Sequence, residues 1–231
     1  AERAEGAASR TELFRCAACG REVRFPRYNK ATKLLETRCG RCGEAANLFM
    51  LLCRALGMDA RYVLDVTDHV WVELYSDAQE RWVHCDPSEG TWDKPLTYER
   101  GWGKKLSYVV AFSAEEAVDV TRRYTEHFAD AVLPRRTAVS EARLAQFCAD
   151  YTVERAQHQP KDRREYCAAR RAREQKELAE LTSAAGSSAR GGDYSGRVSG
   201  SAQWRAARGE AGGSCGTRGP SFEAWSAEHK P

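Results

Sequence analysis

Two pairs of cysteines carry most of the chemical potential of this sequence, and they point to different uses. Cys16 and Cys19 form one C-x-x-C unit, and Cys39 and Cys42 form another after nineteen intervening residues, inside TRCGRCGEAANLFMLLC (37–53). That spacing matches a structural zinc site closed by four thiolates. Cys42 also stands immediately before an apolar helical stretch. At a helix start, unpaired backbone N–H groups and the positive end of the macrodipole favour a thiolate and lower its pKa. Such a thiolate is a nucleophile, and the same N–H groups are donors for an oxyanion. One sulfur cannot serve both as a ligand of a closed metal site and as a nucleophile.

A nucleophile needs a base, and the strand-like runs HVWVELY and RWVHCD offer one. If they form a hairpin turning on Asp77 and Ala78, opposed residues have numbers that sum to 155. His69 then faces Asp86, Trp71 faces His84 and Glu73 faces Trp82, all on one side of the sheet. The other side pairs Val70 with Cys85, Val72 with Val83 and Leu74 with Arg81, a mostly apolar set suited to the core. Opposed Cβ atoms lie about 5 Å apart, close enough for a carboxylate to hold an imidazole N–H. Cys42, His69 and Asp86 thus follow the order nucleophile, base, orienter. His84, two residues from Asp86, competes for the same carboxylate. Among the other thiols, Cys53 falls mid-helix, Cys85 on the core face, Cys148 and Cys167 in outer helices, and Cys215 in the tail.

These side chains have to be positioned by a small set of elements. Residues 43–57 are apolar on nearly every face and end at a glycine, which predicts a central buried helix. ARYVLDVT, HVWVELY and RWVHCD alternate β-branched and aromatic residues as strands do. SAEEAVDVTRRYTEHF, opening with Ser113 and Glu116 at capping-box spacing, predicts a further helix. A central helix on antiparallel strands is an α+β domain. The chain divides into a disordered start (1–10), a folded core (11–137), a helical extension (138–182) and a flexible Gly/Ser-rich tail (183–231), where ten of the eighteen glycines lie from Thr182 onward. The stretch 161–181 holds seven basic and five acidic residues interspersed, with Arg173 and Glu177, and Lys176 and Glu180, four apart. It reads as a solvated helix rather than a nucleic-acid arm.

Composition narrows the classes further. With 231 residues, 42% hydrophobic and 30% charged, the chain fits an ordinary soluble domain. Its longest apolar run, 48–53, is too short for membrane insertion. A net charge of +3 does not argue for nucleic acid. Nine cysteines, an odd number, suit a reducing compartment, which points to the cytosol. The start, AERAEGAASR, has no initiating Met and no secretory pattern, and reads as a processed or truncated end.

The runs RCGRCGEAANLF, LGMDARYV, DHVWVELY, RWVHCDP and DKPLTYERGWGKKLSYVVAFS together resemble the transglutaminase-like (papain-like) core of cytoplasmic peptide:N-glycanases over roughly residues 11–137. Those enzymes remove N-linked glycans from misfolded glycoproteins. The resemblance implies that Cys42, the second cysteine of CGRC, is the nucleophile, with His69 and Asp86 completing the triad. It also implies a structural zinc held by two C-x-x-C pairs upstream of Cys42. Of these the chain contains only Cys16 and Cys19, a partial zinc ribbon. The family's motif has Trp where Ala45 stands here. GRVSGSAQWRAARGE (196–210) resembles a segment found after the core in some members and suggests a short ordered patch around Trp204.

The implied activity is that of a peptide-N4-(N-acetyl-beta-glucosaminyl)asparagine amidase, in which a thioester intermediate turns Asn into Asp. Trp71 and Trp82 would offer platforms for a sugar ring or substrate chain, and Glu73 would accept hydroxyl hydrogen bonds; core packing is the competing reading for the tryptophans. The implied partners are a proteasome-shuttle ubiquitin receptor and an AAA ATPase of endoplasmic-reticulum-associated degradation. Another transglutaminase-like cysteine hydrolase or protease is the alternative, since a triad defines the reaction and not the leaving group. A non-catalytic zinc-ribbon interaction module would need all four early cysteines on metal.

Overall fold

The computed structural model describes residues 1–183, 194–207 and 210. In chain order its elements are α1 (Glu2–Gly6), β1 (Thr11–Arg15), β2 (Glu22–Pro26), α2 (Ala31–Thr37), α3 (Cys42–Ala55), β3 (Ala60–Asp65), β4 (His69–Ser76), β5 (Arg81–Asp86), β6 (Thr91–Trp92), β7 (Val109–Phe112), β8 (Ala117–Asp119), α4 (Glu141–Ala156), α5 (Lys161–Ser183) and α6 (Ala202–Ala207). β1 and β2 form a separate two-stranded hairpin. The other six strands make one sheet in the order β6-β5-β4-β3-β7-β8, with every neighbour antiparallel. The fold is α+β, as the pattern of a central helix and alternating strands predicts. Among the described residues no helix is long and apolar enough to cross a membrane.

α3 packs Ala46 and Cys53 against Val72, Leu74, Val83 and Cys85 on one face of the sheet. This is the apolar face expected from residue parity. The opposite face is also buried, which was not expected. Trp71, Tyr98, Trp102 and Tyr124 form an aromatic core there, and the polar half of that face is covered by α5. Cys167, Arg170, Glu174 and Leu178, a single stripe of α5, are buried. Arg61 and Glu73, paired across β3 and β4, are fully buried and joined by a 2.6 Å hydrogen bond. Arg61 Nη1 also donates to Glu174 at 2.9 Å, and Arg123 bridges Glu73 and Glu174 at 2.8 Å to each. α5 is therefore not a solvated helix. Its charges are interspersed because one stripe neutralises charges buried in the sheet. Of the two expected i,i+4 pairs, Lys176–Glu180 forms at 4.0 Å in solvent, whereas Glu177 turns to Arg123.

The hairpin register differs from the expected one by two residues. Glu73 faces His84, Tyr75 faces Trp82 and Ser76 faces Arg81, so opposed numbers sum to 157. The turn has four residues, 77–80, and closes with Glu80 at φ 50°. A two-residue slip keeps every side chain on its predicted face while moving its partner along. Asp86 is thus diagonal to His69 rather than opposite it.

Residues 113–128 do not form the expected helix. Ser113 Oγ does accept the N–H groups of Glu115 and Glu116, each at 3.0 Å. The chain then enters β8, and the Glu116 carboxylate leaves the cap to bind Arg170 and Arg171, each at 2.9 Å. At the start of the chain α1 is followed by Ala8, which packs against Tyr28 and Leu34, and Gly6 is required there because a Cβ would lie 2.1 Å from Tyr28. Of the tail, residues 194–207 and 210 lie against the core, where Arg197 and Glu210 are buried.

Candidate active site

The start of α3 is built around Cys42. Glu44, on the first turn, accepts the backbone N–H of Arg41 at 2.9 Å and is gripped by Arg27 through bonds of 2.6 and 2.9 Å. Gly40 makes room for this, since a Cβ there would come within 2.5 Å of the Glu44 Cβ. The N-terminal turn is thereby fixed, with Cys42 half-buried as its first residue. A polar cleft of about 430 Å³ opens beside it, lined by Gly43, Asn47, Tyr62, Arg27 and Asn29 among others.

His69, at the first position of β4, and Asp86, at the last of β5, meet across the sheet. Nε2 of His69 lies 2.7 Å from Oδ2 of Asp86, which leaves Nδ1 for Cys42, its hydrogen-bonding neighbour. Both side chains are in the interior, His69 and Asp86 being buried. The other carboxylate oxygen, Oδ1, accepts the Ser88 N–H at 2.9 Å, the Ser88 hydroxyl at 2.7 Å and the Glu89 N–H at 3.3 Å. Asp86 therefore cannot rotate without breaking three bonds.

His84, the competing imidazole, holds a different post. The Lys94 N–H donates to its Nδ1 at 3.3 Å, so its Nε2–H donates to the Tyr98 hydroxyl at 2.7 Å. Tyr98 in turn donates to Asp86 Oδ2 at 3.0 Å. Burial drives the His84 pKa down to about 4, and the ring stays neutral. The sign of the linkage follows directly. As pH falls below 6.5 the unfolded chain takes up a proton that folded His84 refuses, at about 1.4 kcal/mol per pH unit. Between about pH 6.5 and 5, above the carboxylate range, urea titration is expected to show a loss of roughly 2 kcal/mol. His84→Gln should flatten that slope; an unchanged slope would exclude His84 as its source.

The three central groups shift each other. Burial raises the Cys42 pKa, but the His69 hydrogen bond, the charges of His69 and Arg197 and the Val70 N–H outweigh it, and the net shift is down. Burial lowers that of His69, but bonds to Asp86 and Cys42 prevail and raise it. Asp86, penalised by burial, is held below its ordinary range by His69 and Ser88. A thiolate facing an imidazolium is the state these shifts favour. The other described thiols go the opposite way where they shift: burial pushes Cys85 up to about 12 and Cys148 to about 11, and raises Cys53 and Cys167. Cys215 lies outside the described residues.

The structure does not place Trp71, Glu73 and Trp82 where a substrate could touch them. All three are buried. Trp71 stacks on Tyr98 at 4.2 Å and donates to Tyr124 at 2.7 Å; Trp82 lies under the Arg61 guanidinium at 3.9 Å; Glu73, pulled down to about 2 against its burial chiefly by Arg123 and Arg61, is an internal counter-ion. Their shared face belongs to the core because α5 covers it. Cys16 and Cys19 are exposed at the tip of the β1–β2 hairpin. Among the described residues no group of three or more Cys, His, Asp or Glu could hold a metal ion, so Cys39 and Cys42 do not complete a four-thiolate site with them. Tyr98, Glu89 and Arg197 were not singled out from sequence. Tyr98 sits in DKPLTYERGWGKKLSY and Arg197 in GRVSGSAQWRAARGE, the two stretches with no periodic reading of their own.

Residues 2–87 match the family model of the transglutaminase-like superfamily, and residues 64–182, about half of the chain, that of the Rad4 transglutaminase-like domain. The chain is 53% identical over 205 residues to a peptide-N(4)-(N-acetyl-beta-glucosaminyl)asparagine amidase of Gallus gallus, with 89% of this chain and 31% of the relative covered. Identity is 52% over 206 residues to the Homo sapiens protein of the same name (89% and 30% covered) and 46% over 206 residues to that of Arabidopsis thaliana (89% and 28% covered). The chain spans about a third of the length of these curated relatives. A structure of the Rad4/XPC nucleotide excision repair complex shares the fold, with a TM-score of 0.52 at 16% identity, covering 69% of this chain and 39% of that one. On these matches the chain belongs to the transglutaminase-like superfamily.

Proposed function

We propose that the chain carries the catalytic core of a peptide N-glycanase, hydrolysing the amide that links an N-glycan to an asparagine side chain and leaving aspartate. The Cys42 thiolate attacks the amide carbon, and backbone N–H groups at the start of α3 hold the oxyanion. His69, protonated at Nδ1, gives that proton to the departing glycosylamine as the C–N bond breaks and a thioester remains. It then takes a proton from water, which attacks the thioester and frees the thiolate. Asp86 fixes the imidazole with Nε2–H toward itself and balances its charge.

The observation that supports this most is the placement of His69 between Cys42 and Asp86, at 2.7 Å from the latter, in a chain about half identical to amidases of that name. The resemblance also suggests misfolded cytoplasmic glycoproteins as substrate, and a ubiquitin receptor and an AAA ATPase as partners. Zinc at Cys16 and Cys19 belongs to the same proposal: the two thiols would supply half of a tetrahedral structural set, and no catalytic step uses it. The test is release of glycan from a denatured N-glycoprotein, with the peptide weighed for conversion of Asn to Asp. Release with that mass change is expected. Peptide-bond cleavage with the glycan retained, or no release by the folded chain, would overturn the proposal.

A further inference from the structure

The described tail residues, 194–207 and 210, bring a cation to the reactive pair. Arg197, whose side chain is only 4% exposed, places Nη2 3.3 Å from Nδ1 of His69, the nitrogen left for Cys42 when Nε2 is on Asp86. Nothing about the segment leaves this guanidinium free to swing. Nη1 binds Glu210 at 2.6 Å, and the Arg197 N–H donates to the Glu210 carbonyl at 3.0 Å, closing the segment on itself. The Trp102 and Trp204 rings lie 4.6 and 4.4 Å from the guanidinium carbon. The segment is tied to the strand end that carries Asp86: Val198 and Ser199 donate their N–H groups to Glu89 at 2.6 and 3.0 Å. Gly101 permits this approach, because a Cβ there would lie 2.3 Å from the Ser195 carbonyl oxygen.

A guanidinium can only donate. While the ring is neutral, a hydrogen bond from Arg197 to Nδ1 requires that nitrogen to be an acceptor, which is the tautomer with Nε2–H on Asp86. When the Cys42 proton moves to Nδ1, the same cation faces a thiolate on one side and an imidazolium on the other. It stabilises the first and repels the second.

We propose that Arg197 is a positioning residue of the Cys42–His69 pair, selecting the His69 tautomer that can receive the thiol proton and placing the working range of the pair lower in pH. This rests on the reading of Cys42 as the nucleophile under Proposed function. The charged and titratable groups around His69 are Cys42 from α3, Asp65 from β3 with Lys104 bound to it, Asp86 and the neutral His84 from β5, Tyr98, and Arg197 with Glu210. Of these, only Arg197 brings a fixed positive charge against Nδ1.

The experiment follows iodoacetamide alkylation of Cys42, read by peptide mass, against pH. The wild-type rate has two inflections, the lower as the ion pair forms and the upper as the imidazolium loses its proton. In Arg197→Gln both inflections are expected to move up by about one pH unit, and Arg197→Lys should return them most of the way. Thermal melting of each variant confirms that it is folded; the Lys variant carries the test if the Gln variant is not, and then a shift upward smaller than one unit is expected. Inflections that stay in place, or a rate that rises equally at every pH because the segment merely shields the thiol, would overturn the proposal while leaving the nucleophile intact. A wild-type Cys42 with no reactivity below the ordinary thiol range would overturn both. Because no glycan is involved, failure of the deglycosylase reading shows separately.

Discussion

Asp86→Asn is expected to lower glycan release by about 10⁴-fold while leaving the fold intact. The reason lies in which oxygen can be replaced. Oδ1 accepts two backbone N–H groups, from Ser88 and Glu89, so an amide at this position must put its oxygen there and its NH₂ where Oδ2 was. That NH₂ would donate to His69 Nε2 and force the proton onto Nδ1. Cys42 would then face an N–H instead of a lone pair, and the thiol could not give up its proton to the ring. Tyr98, which donates to Oδ2 at 3.0 Å, would lose its acceptor as well. The loss should appear in kcat, and Cys42 alkylation should slow in parallel. A loss of less than tenfold would mean that Asp86 does not set the tautomer.

Glu174→Ala is expected to destabilise the protein by about 3–5 kcal/mol, a large part of a domain's whole stability. Arg61 and Arg123 are both buried, and each bonds Glu174 as well as Glu73. Removing one carboxylate leaves Arg61 and Arg123 sharing Glu73, with only the partly exposed Glu177 as a further anion on Arg123. The penalty is that of a stranded charge, not of a missing contact. Glu180→Ala, four residues from Lys176 and open to solvent, is the matched control and should leave the midpoint of urea unfolding unchanged. Equal midpoints for the two variants would show that the buried network carries no such energy.

Several parts of the fold and the site could be read from residue order. The helix from Cys42, the three strands after it and the side of the sheet each residue faces all follow from local periodicity, and His69 and Asp86 share a face in either register. The register itself depends on the turn. A four-residue loop closed by Glu80 in the left-handed region, with no glycine to mark it, looks in sequence like two residues of turn and two of strand. The burial of Trp71, Glu73 and Trp82 depends on α5, whose contact with Arg61 spans 113 residues. No local pattern reports that. The same holds for Arg197, 128 residues from His69 in a stretch where glycine and serine suggest a linker. The helix expected at 113–128 was lost to the partners of Glu116, Arg170 and Arg171, which sequence places more than 50 positions away.

The reach of that buried network also sets an order of events during synthesis. β3, β4 and the turn at 121–124 precede α5 in the chain, and of the network they carry Arg61, Glu73 and Arg123, two cations to one anion. The missing anion comes with α5, after a further 113 residues from Arg61. Pairings this distant are made late. The sheet can therefore assemble early, but its α5-facing side stays electrostatically incomplete until the nascent chain has passed Glu174.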